Sequence, residues 1–300
     1  MFCVSPYLGW SFKTLYFDFN NFIILIYLKK RAKRVDFISR YSLLKIYNMK
    51  KIALITGATS GIGRATAIAL ADEGYNLILT GRRKERLEEL KELVGITYKA
   101  DALVLNFDVR NQEEVAASVA SIPAAWRKID VLVNNAGLAV GLNPIQEGLI
   151  EDWERMIDTN IKGLLYMTRE VAPLMCEQGK GHIINICSTA GKEVYPNGNV
   201  YCATKHAVDA ISKGMRIDML KYGIKVTNIC PGAVETEFSI VRFKDDKERA
   251  DKTYEGYTPL TGDDIANLIR FAVTLPPHVC INDLVVTPTA QANATNIHRK

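Results

Sequence analysis

The chain has 300 residues, of which 48% are hydrophobic and 24% are charged, and its six cysteines include no Cys-x-x-Cys pair. This composition excludes a disordered tail protein, a low-complexity chain and a disulfide scaffold, and we expect no metal site. The net charge of +5 comes from the first 48 residues, which hold eight Lys or Arg and two Asp. The remainder holds 30 basic and 31 acidic residues. It therefore lacks the basic surface that a nucleic-acid partner requires.

Residues 1–48 match none of the usual targeting segments. The apolar run 22–28 is too short for a membrane span, which needs roughly 20 residues. The basic cluster 29–34 follows this run, whereas a secretory signal has its basic residues first. Met49 then opens a stretch typical of the start of a cytosolic domain. We predict that residues 1–48 are upstream sequence, non-native or disordered, in a cytoplasmic protein without stable membrane association. The alternative is a basic, aromatic arm on an anionic membrane surface.

From residue 49 onward, short apolar runs alternate with amphipathic stretches. The runs are almost continuously apolar, as expected for parallel strands that are buried on both faces. We predict a single doubly wound α/β domain of Rossmann type over residues 49–300, with a mostly parallel seven-stranded sheet. The strands are predicted at Ile52–Thr56, Leu77–Thr80, Ala102–Phe107, Ile129–Val133, His182–Cys187, Lys225–Ile229 and Leu284–Val286.

One long stretch, at about 233–261, shows no strand character. Loops of that length in compact domains are usually functional. We therefore predict that this stretch is a substrate lid.

The first predicted strand runs directly into a glycine-rich loop with the spacing Gly-x-x-x-Gly-x-Gly. Its glycines permit a tight turn and a close approach of the backbone to a pyrophosphate, and the first amides of the following helix would face the phosphate oxygens. The loop follows a strand and opens a helix, which is the context that a dinucleotide site requires. The predicted cofactor-binding residues of the loop are Gly57, Ala58, Thr59, Ser60, Gly61, Ile62 and Gly63.

The end of the second predicted strand indicates which dinucleotide is bound. NAD-binding folds carry an acidic residue here, which binds the 2′-hydroxyl of the ribose. The chain has Arg82 and Arg83 instead, and a guanidinium binds phosphate through paired, charge-assisted hydrogen bonds. We predict that the cofactor is NADP(H) and that both arginines bind it. The alternative is that they are solvated charges at the start of a helix.

Tyr201 and Lys205 are four residues apart, so that in a helix they share one face. Ser188 directly follows a predicted strand, and we expect this strand end and the helix to meet at the carboxyl edge of the sheet. Reduction of a carbonyl by hydride needs a proton donor, and a nearby ammonium would lower the pKa of the tyrosine. A serine hydroxyl can bind the same substrate oxygen. We predict a carbonyl-reducing site with Tyr201, Lys205 and Ser188 as catalytic residues.

Together these motifs resemble the short-chain dehydrogenase/reductase family over residues 49–300. The resemblance rests on Thr56–Gly63, Asn134–Gly137, Asn160, Ser188, Tyr201-x-x-x-Lys205 and Pro231–Gly232. It implies that Tyr201 is the general acid/base, that Lys205 binds the nicotinamide ribose and that Ser188 positions the carbonyl. It also implies that Asn160 holds a water in a proton relay, although a structural role for this residue is the alternative. The remaining cofactor contacts that it implies are Asp108, Val109, Asn135, Ala136, Gly137, Pro231, Gly232 and Thr236.

The arginine pair, the segment 151–160 and the predicted lid resemble one bacterial subgroup of this family, the NADP-dependent 3-hydroxy acid dehydrogenases. Members act on serine, allo-threonine and related acids and reduce malonic semialdehyde. The resemblance implies a homotetramer. Glu235 departs from the subgroup pattern, which is Gly-rich and one residue longer at this point.

We therefore predict an NADP(H)-dependent oxidoreductase that interconverts a small 3-hydroxy acid and its 3-oxo acid or semialdehyde. The carboxylate of such a substrate needs a cation when it is buried, and the lid offers Arg242, whose planar fork matches a carboxylate. The alternative for Arg242 is a surface residue on a mobile loop. The alternative functions are a reductase of a 3-oxoacyl thioester or another carbonyl, and a non-catalytic NADP-sensing protein on the same fold.

Overall fold

A computed structural model describes residues 50–300, so that the prediction for residues 1–48 lies outside the described residues. No helix in the described range is both long and apolar enough to cross a membrane. The strands are β1 (Ile52–Ile55), β2 (Asn76–Gly81), β3 (Ala102–Asn106), β4 (Ile129–Asn134), β5 (Gly181–Ile186), β6 (Ile224–Pro231) and β7 (Asp283–Val286). The helices are α1 (Gly61–Asp72), α2 (Lys84–Tyr98), α3 (Gln112–Ala120), α4 (Ile150–Ile157), α5 (Leu164–Gln178), α6 (Asn199–Asp218), α7 (Phe238–Arg242), α8 (Lys247–Lys252) and α9 (Gly262–Thr274).

The seven strands form one sheet in the order β3-β2-β1-β4-β5-β6-β7. Every pairing in it is parallel, so that the sheet is fully rather than mostly parallel. The predicted strands agree with the observed ones to within two residues at each end, and the predicted fold class is confirmed. The strand order reverses between β1 and β4, and such a reversal opens a crevice at the carboxyl ends of the strands.

The sheet is covered by helices on both faces, which explains why its strands are apolar throughout. Leu54 of β1 packs on one face in the same cluster as Met167 of α5. The next residue, Ile55, points to the other face and clusters with Leu70 of α1 and Ile265 of α9. Each fully buried side chain of this kind contributes roughly 1.5–3 kcal/mol. The helices packed on the two faces fix the position of the carboxyl edge of the sheet. They thereby also fix the residues that follow each strand.

The segment predicted as a lid, residues 233–261, contains the short helices α7 and α8. Its two ends are joined beside the sheet. The amide of Glu235 donates to the carbonyl oxygen of Leu260 at 2.8 Å, and the amide of Leu260 donates to the carbonyl oxygen of Ala233 at 3.0 Å. The two ends of the segment are therefore bonded to each other next to the crevice, and the chain continues from there into α9.

Candidate active site

A cavity of about 490 Å³ opens at the carboxyl edge of the sheet, between the strand ends and the lid. Three of the predicted site residues, Ala58, Gly63 and Asn160, are buried and do not line it. The other predicted site residues all line it, namely Gly57, Thr59, Ser60, Gly61, Ile62, Arg82, Arg83, Asp108, Val109, Asn135, Ala136, Gly137, Ser188, Tyr201, Lys205, Pro231, Gly232, Thr236 and Arg242.

The glycine loop between β1 and α1 has a backbone that other residues would not tolerate. Gly57 and Gly61 have φ angles of +65° and +50°, in the left-handed region. A Cβ atom on Gly63 would lie 2.4 Å from Nδ2 of Asn135 and 2.4 Å from the carbonyl oxygen of Gly57. Ser60 precedes α1 without a capping bond from its side chain to the described residues, which leaves the first amides of the helix available to an anion. These residues fit the pyrophosphate of a dinucleotide.

We expect Gly63→Ala to weaken the binding of NADPH by about tenfold or more, because overpacking at a tight contact costs about 1–3 kcal/mol and shifts the loop. Fluorescence titration of the variant with NADPH measures this change. The matched control is Gly95→Ala in α2, where the added Cβ would meet only the carbonyl oxygen of Ala100, at 3.8 Å. The control should keep its affinity and gain about 0.5–1 kcal/mol of unfolding free energy. Unchanged NADPH affinity in Gly63→Ala would contradict this role of the loop.

The structure brings Tyr201, Lys205 and Ser188 together, as predicted. Both α6 residues are buried, and Nζ of Lys205 lies 5.9 Å from the ring centroid of Tyr201. This Nζ donates to the carbonyl oxygen of Ile186, the last residue of β5, at 2.9 Å. Ser188 follows that strand, and its Oγ accepts from the amide of Ala190 at 3.1 Å. The strand end and the helix thus present a phenol, an ammonium and a hydroxyl to one cavity.

Burial dominates the electrostatics of this group. It raises the pKa of Tyr201 above its ordinary value, while a hydrogen bond with Ser188 and the charge of Arg242 act against the rise. Burial also lowers the pKa of Lys205. Arg242, whose Cζ lies 5.7 Å from the ring centroid, is a cation that counteracts burial, and the predicted lowering of the Tyr201 pKa by Lys205 stays a prediction. Tyr201 stays protonated at neutral pH, which suits a proton donor.

Asn160 lies in a π-helical turn, Asp158–Gly163, between α4 and α5. Its Oδ1 accepts from the amide of Leu138 at 2.8 Å, and its Nδ2 donates to the carbonyl oxygen of Leu138 at 2.8 Å and to Oγ1 of Thr204 at 3.0 Å. These bonds connect the segment after β4 to α6. They support the structural alternative for this residue, and the water relay stays a prediction.

The two arginines after β2 are placed differently. The side chain of Arg82 is 57% exposed, and its Nη1 lies 3.9 Å from the carboxylate of Asp108. Arg83 lies against the glycine loop, where its Nη2 donates to Oγ1 of Thr59 and to Oγ of Ser60, both at 2.8 Å. Arg83 is therefore held in a defined orientation beside the predicted phosphate site, which speaks against the alternative of a solvated helix-start charge.

Among the residues that line the cavity, Tyr195, Gln291 and Arg299 were not predicted from the sequence, whereas Glu237, Phe238 and Tyr254 belong to the predicted lid. The hydroxyl of Tyr195 accepts from Nη2 of Arg242 at 2.9 Å. The ring of Phe238 meets that of Tyr201 edge-on, with 5.7 Å between centroids. Tyr195, Gln291 and Arg299 belong to no motif of fixed spacing, so that no local signal identifies them.

A glycine loop after the first strand, with a serine, a tyrosine and a lysine around one cavity, is the pattern that the sequence resemblance predicted. The model of the short chain dehydrogenase family matches residues 51–247. This chain belongs to the short-chain dehydrogenase family. The predicted family membership is thereby confirmed, and the chain is an oxidoreductase of this family.

This chain is similar to individual short-chain dehydrogenases over almost the whole length of those proteins. An NADP-dependent 3-hydroxy acid dehydrogenase from Salmonella typhi is 50% identical over 250 residues, which cover 83% of this chain and 99% of that protein. Sulfoacetaldehyde reductase 2 from Chromohalobacter salexigens is 46% identical, over 81% of this chain and 96% of its own length. A solved structure, the closed form of a serine dehydrogenase complexed with NADP+, superposes with a TM-score of 0.78 at 48% identity, over 83% of this chain and 100% of that one.

Proposed function

We propose that this protein is an NADP(H)-dependent oxidoreductase that interconverts a small 3-hydroxy acid, such as serine, allo-threonine or 3-hydroxypropionate, and its 3-oxo acid or semialdehyde. The names of the similar 3-hydroxy acid and serine dehydrogenases support both the cofactor and the substrate class. Sulfoacetaldehyde, named for a third relative, is likewise a small anionic aldehyde. Arg82 and Arg83 supply the cations that the 2′-phosphate of NADP needs.

The observation that carries the proposal is the position of Arg242 in the cavity. Its Cζ lies 5.7 Å from the ring centroid of Tyr201 and 5.4 Å from that of Tyr195. Its Nε is buried and has no hydrogen-bond partner among the described residues. A buried donor without a partner is costly. The guanidinium lines the cavity, where the carboxylate of a substrate would accept charge-assisted hydrogen bonds from it. A guanidinium beside the proton donor favours a small anionic substrate over a 3-oxoacyl thioester.

The side chains then have distinct tasks. NADPH, when bound, supplies the hydride that adds to the carbonyl carbon. Tyr201 donates its hydroxyl proton to the carbonyl oxygen, and Ser188 donates a hydrogen bond to the same oxygen. Lys205 stabilises the phenolate that proton donation leaves on Tyr201. Phe238, on the lid, covers the tyrosine and excludes water. The presence of Ser188, Tyr201 and Lys205 together argues against a non-catalytic NADP sensor, because a sensor needs no proton donor.

We expect Arg242→Gln to raise the KM for 3-hydroxy acids and malonic semialdehyde by about tenfold or more, equivalent to 1.4 kcal/mol, because the cation for the carboxylate is lost. The KM for an uncharged aldehyde of similar size should change little. Steady-state kinetics with NADPH and both substrate classes measures the difference.

The control for this experiment is Lys244→Gln. Lys244 is also a lid cation, but its Nζ pairs with Asp152 at 2.9 Å and it does not line the cavity. We expect its substitution to leave both KM values near those of the wild type. If Arg242→Gln impairs acid and uncharged substrates equally, Arg242 serves lid packing and the carboxylate binds elsewhere.

The homotetramer and the cytoplasmic location stay predictions. Large apolar side chains on α4 and α5 are exposed, namely Ile150, Ile157 and Leu165. Exposed apolar residues on neighbouring helices support contact between subunits. Native mass measurement of the purified protein determines the number of subunits.

A further inference from the structure

Glu237, a residue of the lid, forms an ion pair with Arg83, which the proposed function assigns to the 2′-phosphate. Oε2 of Glu237 is 2.7 Å from Nη1 of Arg83, and its Oε1 is 2.6 Å from Nη1 of Arg86. Glu237 thus bridges two guanidiniums through its two oxygens. A phosphate group binds arginines in the same bridging manner.

The remaining donors of Arg83 are already used on the glycine loop. Its Nε and Nη2 donate to Oγ1 of Thr59 at 3.1 and 2.8 Å, and Nη2 also donates to Oγ of Ser60. Among the residues that the structure describes, the anion at Nη1 of Arg83 is Glu237. A 2′-phosphate that approaches Arg83 would therefore meet a negative charge at the donor that it needs.

The ion pair between Arg83 and Glu237 is partly exposed to solvent, so that another anion can replace the carboxylate. The side chains of Arg83 and Glu237 are each 41% exposed, and ion pairs of this exposure contribute little to stability because solvent screens them. Glu237 also lines the cavity together with Arg82 and Arg83. An incoming phosphate can thus displace the carboxylate without unfolding the lid.

We propose that Glu237 is an internal competitor of the 2′-phosphate for Arg83, and that it thereby sets the affinity for phosphorylated cofactors. This proposal rests on the proposed use of NADP(H). Glu237 immediately precedes α7, the helix that carries Phe238 and Arg242. Displacement of Glu237 by the 2′-phosphate releases this end of the lid from the N-terminal end of α2, so that cofactor recognition is coupled to the helix that carries Arg242.

The test measures the binding of two adenosine nucleotides by isothermal titration calorimetry, without substrate or turnover. The probes are 2′,5′-ADP, which carries the 2′-phosphate, and 5′-AMP, which lacks it. We expect Glu237→Gln to bind 2′,5′-ADP about two- to fivefold more tightly than the wild type, because a like charge within a few ångströms is removed. The affinity for 5′-AMP should not change.

The matched control is Glu235→Gln. Glu235 is a neighbouring acid of the lid and forms no ion pair with the described arginines, and its substitution should change neither affinity. Weaker binding of 2′,5′-ADP by Glu237→Gln would show that Glu237 positions Arg83 rather than competing for it. An unchanged affinity would show a plain surface ion pair. Either result overturns the proposal.

A second measurement uses the wild-type protein and does not depend on the folding of a variant. Saturating 2′,5′-ADP should speed amide hydrogen exchange in residues 236–240, and saturating 5′-AMP should not. No difference between the two nucleotides would overturn the coupling to the lid. If the wild type binds both nucleotides equally well, the NADP assignment itself fails, whatever the behaviour of Glu237.

Discussion

Tyr201→Phe is expected to lower kcat by about 10²–10⁴-fold, the usual contribution of a positioned general acid. The ring and its edge-on contact with Phe238 remain, and only the proton donor is lost. The dissociation constant of NADPH should stay close to that of the wild type. Single-turnover reduction of malonic semialdehyde and a separate NADPH titration measure the two quantities.

The comparison variant for this prediction is Tyr195→Phe. It removes a second hydroxyl from the same cavity, one that accepts a hydrogen bond from Arg242 at 2.9 Å. We expect this change to act on KM, through the orientation of Arg242, and to reduce kcat far less. A near-normal kcat in Tyr201→Phe, or equal losses of kcat in both variants, would show that the proton comes from another group.

Replacement of Arg82 and Arg83 by Gln is expected to weaken NADPH by roughly 1.5–3 kcal/mol, about 10- to 150-fold, for each charged hydrogen bond lost. NADH, which lacks the 2′-phosphate, should lose less affinity, and its loss should come from the contacts of Arg83 with Thr59 and Ser60 of the glycine loop. Arg83 should account for more of the loss, since the glycine loop orients it, whereas Arg82 is 57% exposed. Titration of single and double variants with both cofactors separates the contributions.

Arg64→Gln is the control for the loss of positive charge alone. Arg64 is an exposed residue of α1 and does not line the cavity. We expect it to leave both affinities unchanged. Equal kcat/KM for NADH and NADPH in the wild type would contradict the assignment of NADP(H).

The strands and the glycine loop could be predicted because their signals are local. A strand buried on both faces is apolar throughout, and the loop has its glycines at positions that a tight turn and a close packing contact require. Gly57, Gly61 and Gly63 have these roles in the structure. Tyr201 and Lys205 share a helix, so that their spacing alone placed them on one face. The helices α7 and α8 escaped prediction because five or six residues are too few for a periodic pattern.

Only the tertiary structure decided how charges are distributed around the cavity. Glu237 meets Arg83 across 154 residues of sequence, and Arg242 meets Tyr195 across 47. No spacing rule links such pairs, since the lid must first fold over the strand ends. The pKa of Tyr201 is a further case: the spacing identifies the i,i+4 lysine, whereas the burial that raises this pKa arises only when the chain is folded. Burial depends on everything that packs around a side chain, and that is a property of the folded chain rather than of any motif.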